Sequence, residues 1–174
     1  MKIKHLFSVV MLLALSTFTS CELFDKADDV TFDVDVPLDF VVNVTPNMEG
    51  GYTAEQVLNA SSDPDIAEYA DKIKEFKINR ITYTITNSTS DGTTFDGSVS
   101  IAATGEVLSS VDNLSVANTP ETDLPANIDG FNDLASRLLE DKQETIMMNG
   151  QFSTSTVFFN IRLRFYISVT ADAL

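Results

Sequence analysis

Residues 30–44 read VTFDVDVPLDFVVNV. Val30, Phe32, Val34, Val36, Leu38, Phe40, Val42 and Val44 are apolar at a spacing of two. The positions between them carry Thr31, Asp33, Asp35, Pro37, Asp39 and Asn43, with Val41 the exception. Successive side chains of a strand point to opposite faces, so this pattern predicts a half-buried strand with its acids outward. The run is far longer than an ordinary strand of about 5–6 residues. Pro37 has no N–H to give a neighbouring strand. It marks an edge position, or a bend where the strand passes from one sheet to another, as the crossing first strands of β-sandwiches do.

Downstream the period changes. SSDPDIAEYADKIKEF predicts a helix, with Ser62 as cap, Asp65 three residues on and Pro64 in the first turn. Its apolar face is Ile66, Tyr69, Ala70, Ile73 and Phe76. KINRITYTITN then alternates, with Ile81, Tyr83 and Ile85 on one face, and TFDGSVSIA alternates again through Phe95, Val99 and Ile101. With the turn NSTSDG between them, these two runs are expected to pair as an antiparallel hairpin. ATG is the next turn, EVLSSVDNLSV a weaker strand and ANTPETDLPANIDG a Pro-rich loop.

GFNDLASRLLEDKQ predicts a second amphipathic helix, with Asp129 as cap and Phe131, Leu134, Leu138 and Leu139 inward. Asn149-Gly150 is the strongest two-residue hairpin signal in the chain. The last run, FNIRLRFYISV, places Phe159, Ile161, Leu163, Phe165, Ile167 and Val169 on one face and Arg162, Arg164 and Tyr166 on the other. Its phase differs from that of Phe152, which predicts a bulge near Val157 or Phe158. The order β, α, β, β, β, α, β, β with short connections favours antiparallel pairing. The expected fold is mainly β: an antiparallel β-sandwich with two amphipathic helices, spanning 30–174 as a single domain. The alternative is an open α+β sheet with both helices on one face. With 44% hydrophobic and 21% charged residues, the chain has the apolar side chains for a sizeable core.

The N-terminus has a different grammar. MKIKH carries Lys2 and Lys4 with no acid, Leu6–Leu15 is an unbroken apolar run, and STFTS leads to Cys21, the only cysteine. This is the layout of a secretory signal over residues 1–20. Crossing about 30 Å of hydrocarbon takes roughly 20 apolar residues, about twice this run. Phe18, Thr19, Ser20 and Cys21 resemble the lipobox of bacterial lipoproteins. Ser20 is the small residue before the cut, and Phe18 stands where leucine is usual. The resemblance implies cleavage between Ser20 and Cys21, with Cys21 as the first mature residue carrying acyl chains, palmitate among them.

Glu22, Asp25, Asp28 and Asp29 follow, broken by Lys26. Residues 21–29 then form a lipidated N-terminus and acidic tether, which resembles the surface-export signal of Bacteroidota-type lipoproteins. That implies an outer-membrane protein facing the cell surface rather than the periplasm. Loss of Lys2 and Lys4 takes the net charge from −15 to −17.

Other roles for Cys21 fit less well: a buried structural cysteine would not explain its place at the end of an export signal. A disulfide needs a second cysteine. A catalytic thiolate needs a base, and the only histidine, His5, lies within the signal. A zinc site needs several Cys or His ligands. The missing histidine equally removes Ser/His/Asp chemistry, and the carboxylates fall in no acid–base motif, so no enzyme activity, metal or cofactor is expected.

The acidic balance opposes nucleic acid. Two oxygen-rich segments carry candidate calcium ligands: Asp91-Gly92 with Asp96-Gly97, and Asn127, Asp129, Asn132 and Asp133. Neither has calcium-loop spacing, and turns or caps explain both. Tyr52, beside Gly50-Gly51, is the most loop-like tyrosine and the candidate platform for a sugar. Arg162 and Arg164 form the only compact basic pair, able to receive an acidic partner but expected instead to meet Asp33 and Asp35 across a sheet. The function expected is a non-enzymatic lipoprotein that binds protein partners or scaffolds an envelope complex. The alternative is a ligand-binding lipoprotein, for a glycan or another small molecule.

Overall fold

The computed structural model describes residues 29–173. Eight strands are divided between two sheets. They are β1 (Asp29–Val44), β2 (Gly51–Asn59), β3 (Ile73–Thr86), β4 (Thr94–Ile101), β5 (Val107–Ser115), β6 (Thr119–Asp123), β7 (Gln143–Phe152) and β8 (Val157–Asp172). Two helices, α1 (Pro64–Glu68) and α2 (Ile128–Asp141), interrupt them. One sheet has the order β1-β8-β3-β6 and the other β2-β7-β4-β5, all pairs antiparallel. The two pack as a sandwich, and this strand order is that of the eight-stranded jelly roll. The open α+β alternative is thereby set aside.

β1 and β8 form the spine. Their register runs without a break from Asp29↔Asp172 to Val44↔Val157. Every second residue of β1 from Val34 to Val44 is buried, and β8 answers with Val157, Phe159, Ile161, Leu163, Phe165, Ile167, Val169 and Ala171. β1 is an edge strand, which accommodates Pro37 opposite Arg164. It does not pass into the second sheet; one 16-residue strand serves the first sheet throughout.

α2 closes one end of the sandwich with Phe131, Leu134 and Leu138 buried against β3, β5 and β7. Its cap is Asn127, whose Oδ1 accepts from the N–H groups of Asp129 and Gly130, while its Nδ2 donates to Val107 O at 2.7 Å. Asp129, expected as the cap, sits in the first turn, where its charge suits the helix N-terminus.

Four local expectations fail for identifiable reasons. The first predicted helix stops at Glu68 after a single turn capped by Asp63, not Ser62. Ser62 Oγ instead donates to Asn59 O at 2.7 Å. From Ile73 onward the chain pairs with β8, and ladder bonds along a long strand outweigh the helical spacing of Ile73 and Phe76. β3 and β4 do not form a hairpin. β3 lies between β8 and β6, β4 between β7 and β5, and the connection 87–93 steps from one sheet to the other. Such a step must cover about 10 Å, which a tight two-residue turn does not. β4 and β5 do pair across the ATG turn.

Asn149-Gly150 lies inside β7, and the chain reverses at 153–156. That reversal also absorbs the phase change between Phe152 and β8, so no bulge interrupts the β1–β8 ladder near Val157 or Phe158. The Pro-rich loop contains the short edge strand β6, paired to β3 with Pro120 on the free edge. β2 carried no alternation to reveal it, because only Tyr52 and Leu58 are buried along it and Val57 faces solvent.

Candidate functional site

Ser20 and Cys21, the predicted cleavage and lipidation positions, lie outside the described residues, as do the tether residues Glu22, Asp25, Lys26 and Asp28. The chain enters the sandwich at Asp29. Asp29 pairs there with Lys74 of β3 at 2.5 Å, and Asp172 at the end of β8 lies 3.5 Å from the same ammonium. These hydrogen bonds, that to Asp29 foremost, raise the Lys74 pKa above its ordinary value.

The outer face of the β1-β8-β3-β6 sheet gathers most of the other candidates, because the outward residues of β8 stand beside those of β1 on one side and β3 on the other. Arg162 meets Asp39 through a two-pronged bond, Nε to Oδ1 at 2.7 Å and Nη2 to Oδ2 at 2.9 Å. The bond from Arg162 holds the Asp39 carboxyl below the usual carboxylate range, against the opposing effect of its partial burial. Arg164 reaches Asp35 at 3.4 Å. The cross-strand pairing expected of the two arginines is present, with one partner changed: register sets Asp39, not Asp33, opposite Arg162. Asp33 instead accepts from Ser168, whose Oγ also accepts from Asn79 at 2.7 Å.

Beside this ladder runs an open groove of about 520 Å³ between β1 and β3, walled by Val41, Thr84 and Thr86 and floored by Asn160 and Arg162. Its only charged groups are the ion-paired arginines and Asp39. It offers hydrogen bonds and no nucleophile–base pair.

A second polar cluster escaped sequence reading altogether. Glu121 of β6 accepts from Tyr166 Oη and from Thr82 Oγ1, the latter at 2.9 Å. Those bonds, Tyr166 first, push its carboxyl pKa down. Arg80 stacks 4.0 Å from the Tyr166 ring centroid and reaches Asp123 at 3.2 Å. The signal was hidden because Glu121 and Asp123 sit in a segment that reads as a loop. Only its pairing with β3 brings them to Tyr166, 45 residues away in sequence from Glu121.

The remaining candidates have structural duties. Tyr52 is buried on β2, its ring against Phe152 and its hydroxyl directed at Val41 O at 3.5 Å; burial pushes its pKa up. It is not an exposed sugar platform. Asp96 Oδ1 accepts from Asn113 N–H, Asn127 caps α2, and Asp133 pairs with Arg137 at 3.1 Å. Gly97 faces Gly150 across β4 and β7, under the Phe95 ring. Among the described residues no group of three or more metal-ligating side chains converges.

Between the sheets an apolar cavity of about 20 Å³, lined by Phe95, Val99, Met148, Phe152 and Leu163 among others, has room for about one water molecule. Ser109 is part of its lining, and the Ser109 hydroxyl has no partner among the described residues. Residues 29–173 contain neither histidine nor cysteine.

No protein-family model matches the chain, and no curated protein matches it. Among solved structures it is similar to the BFDV capsid protein in its decameric form, at 6% identity over 80% of this chain and 99% of that one, with a TM-score of 0.45. It is similar also to Cocksfoot mottle virus, at 9% identity over 82% of this chain and 84% of that one, TM-score 0.43. Desmodium yellow mottle tymovirus is a third, at 13% identity over 83% of this chain and 90% of that one, TM-score 0.38.

Proposed function

We propose that this chain is a non-enzymatic lipoprotein of the outer membrane, held by acyl chains on Cys21, facing the cell surface and binding protein partners through its β-sandwich. One observation carries the reading: the only cysteine directly follows a basic, apolar and small-residue sequence of export-signal layout. The acids at 22, 25, 28 and 29 fit the tether and surface-export reading. Burying acyl chains supplies about 0.8 kcal/mol per methylene, so more than one chain holds even a strongly acidic domain at a membrane. No helix among the described residues is long and apolar enough to cross a membrane. Binding rather than catalysis fits a domain whose two arginines on the outer face of β8 are paired with Asp39 and Asp35 and whose chain supplies no histidine beyond residue 20.

The test is Cys21→Ser in the producing cell. The variant is expected to leave the membrane fraction, and unchanged fractionation defeats the proposal. Protease shaving of intact cells checks the surface position: the wild-type domain is expected to be digested without lysis. Co-purification of the anchored protein identifies its partners.

A further inference from the structure

The two ends of the sandwich differ. At one end β1 begins at Asp29, β8 finishes at Asp172, and α1 and α2 close the sheets. At the other end lie the connections 45–50, 87–93, 116–118 and 153–156. They are tied into one crown: Ser88 N–H donates to Asn118 Oδ1 at 3.0 Å, Val116 N–H to Thr93 O at 3.1 Å, and the hydroxyls of Thr93 and Thr154 are 3.2 Å apart. The crown is rich in hydroxyls and amides. Its only charged side chains are Glu49 and Asp91, and it has no lysine or arginine.

Length decides how such a domain can stand on a lipid anchor. A strand rises about 3.3 Å per residue, so 16-residue β1 puts the crown about 50 Å from Asp29. From Cys21 to Asp29 is eight residues, which reach at most about 26–29 Å. The tether is shorter than the domain. An inverted domain, crown to the membrane, needs Asp29 about 50 Å above the bilayer, beyond that reach. Lying flat brings a sheet face of a molecule with net charge −17 against anionic headgroups, which repel it.

We infer that the anchored domain stands with its Asp29 end toward the membrane and presents the 45–50, 87–93, 116–118 and 153–156 crown outward. This rests on the Cys21 anchor. With Cys21 acylated, an introduced cysteine is the only free thiol in the mature chain. The exposed positions Asp71, beside the start of β3, and Ser155, in the crown, suit single substitutions. Lipidated Asp71→Cys and Ser155→Cys proteins are labelled with a donor dye and reconstituted into vesicles containing an acceptor-labelled anionic lipid. Circular dichroism checks that each keeps the sheet structure. Energy transfer from position 71 is expected to exceed that from position 155 several-fold. Equal transfer, or stronger transfer from 155, with the protein still floating on the vesicles, overturns the orientation alone. Failure of the wild-type protein to float overturns the anchor, and the orientation with it.

Discussion

Gly150 shows how a residue is chosen by its neighbours rather than by the turn it advertises. A Cβ at this position meets Asp96 O at 2.3 Å and the Phe95 ring at 2.6 Å, and one at Gly97 meets Asn149 O and the same ring. The paired glycines let the Phe95 ring lie flat on the sheet, with Phe152 4.8 Å away. Gly150→Ala is therefore expected to cost about 1–3 kcal/mol, as overpacking does, read from the midpoint of urea unfolding. An unshifted midpoint contradicts this packing. At the surface the scale is smaller. Arg162→Ala removes a largely exposed pair and is expected to cost less than about 1 kcal/mol at neutral pH. Because Asp39 is held below its unfolded value, the contribution is present above the ordinary aspartate range and fades as pH falls through the lowered folded value. The variant should approach wild-type stability in acid, and a difference that grows on acidification contradicts the assignment. Cys21 belongs to this scale too. The role proposed for it rests on its place after the apolar run and on the lack of a second cysteine.

Elements divide by how much of their structure is written locally. β1, β8 and α2 are legible because each buries one regular face, and their apolar periods run for at least three turns or pairs. β2 and β6 are not, since edge strands bury little and are held by backbone pairing to β7 and β3. Neither partner is visible from the edge strand itself. The helix expected at 64–76 fails for the same cause in reverse: Ile73 and Phe76 have helical spacing, but β8 offers them a ladder. The outer-face pairs follow suit. The face of Arg162 is legible from alternation, while its partner depends on register with a strand about 120 residues earlier in the sequence. α2 supplies the test at this scale. Asn127 caps the helix and also bonds to the start of β5. Asn127→Ala is expected to cost about 1–2 kcal/mol in chemical denaturation, and Asn127→Asp, which keeps the acceptor oxygen, less. Equal losses from both variants put the weight on the Val107 bond instead of the cap.

The whole molecule joins a jelly roll to a stretch with a separate purpose. Its described residues spend their aspartates, asparagines and tyrosines on turns, caps, ladders and core, and leave a polar crown about 50 Å from the point where the chain enters the domain. Nothing in such a fold dictates a location. The proposed location rests on the export-signal layout from Lys2 to Cys21 and the acids that follow it. The most direct test is mass spectrometry of the protein extracted from membranes. The account predicts a mature chain that begins at Cys21 and carries acyl chains on that residue. A chain that retains residues 1–20, or begins at Cys21 with a free thiol, contradicts it.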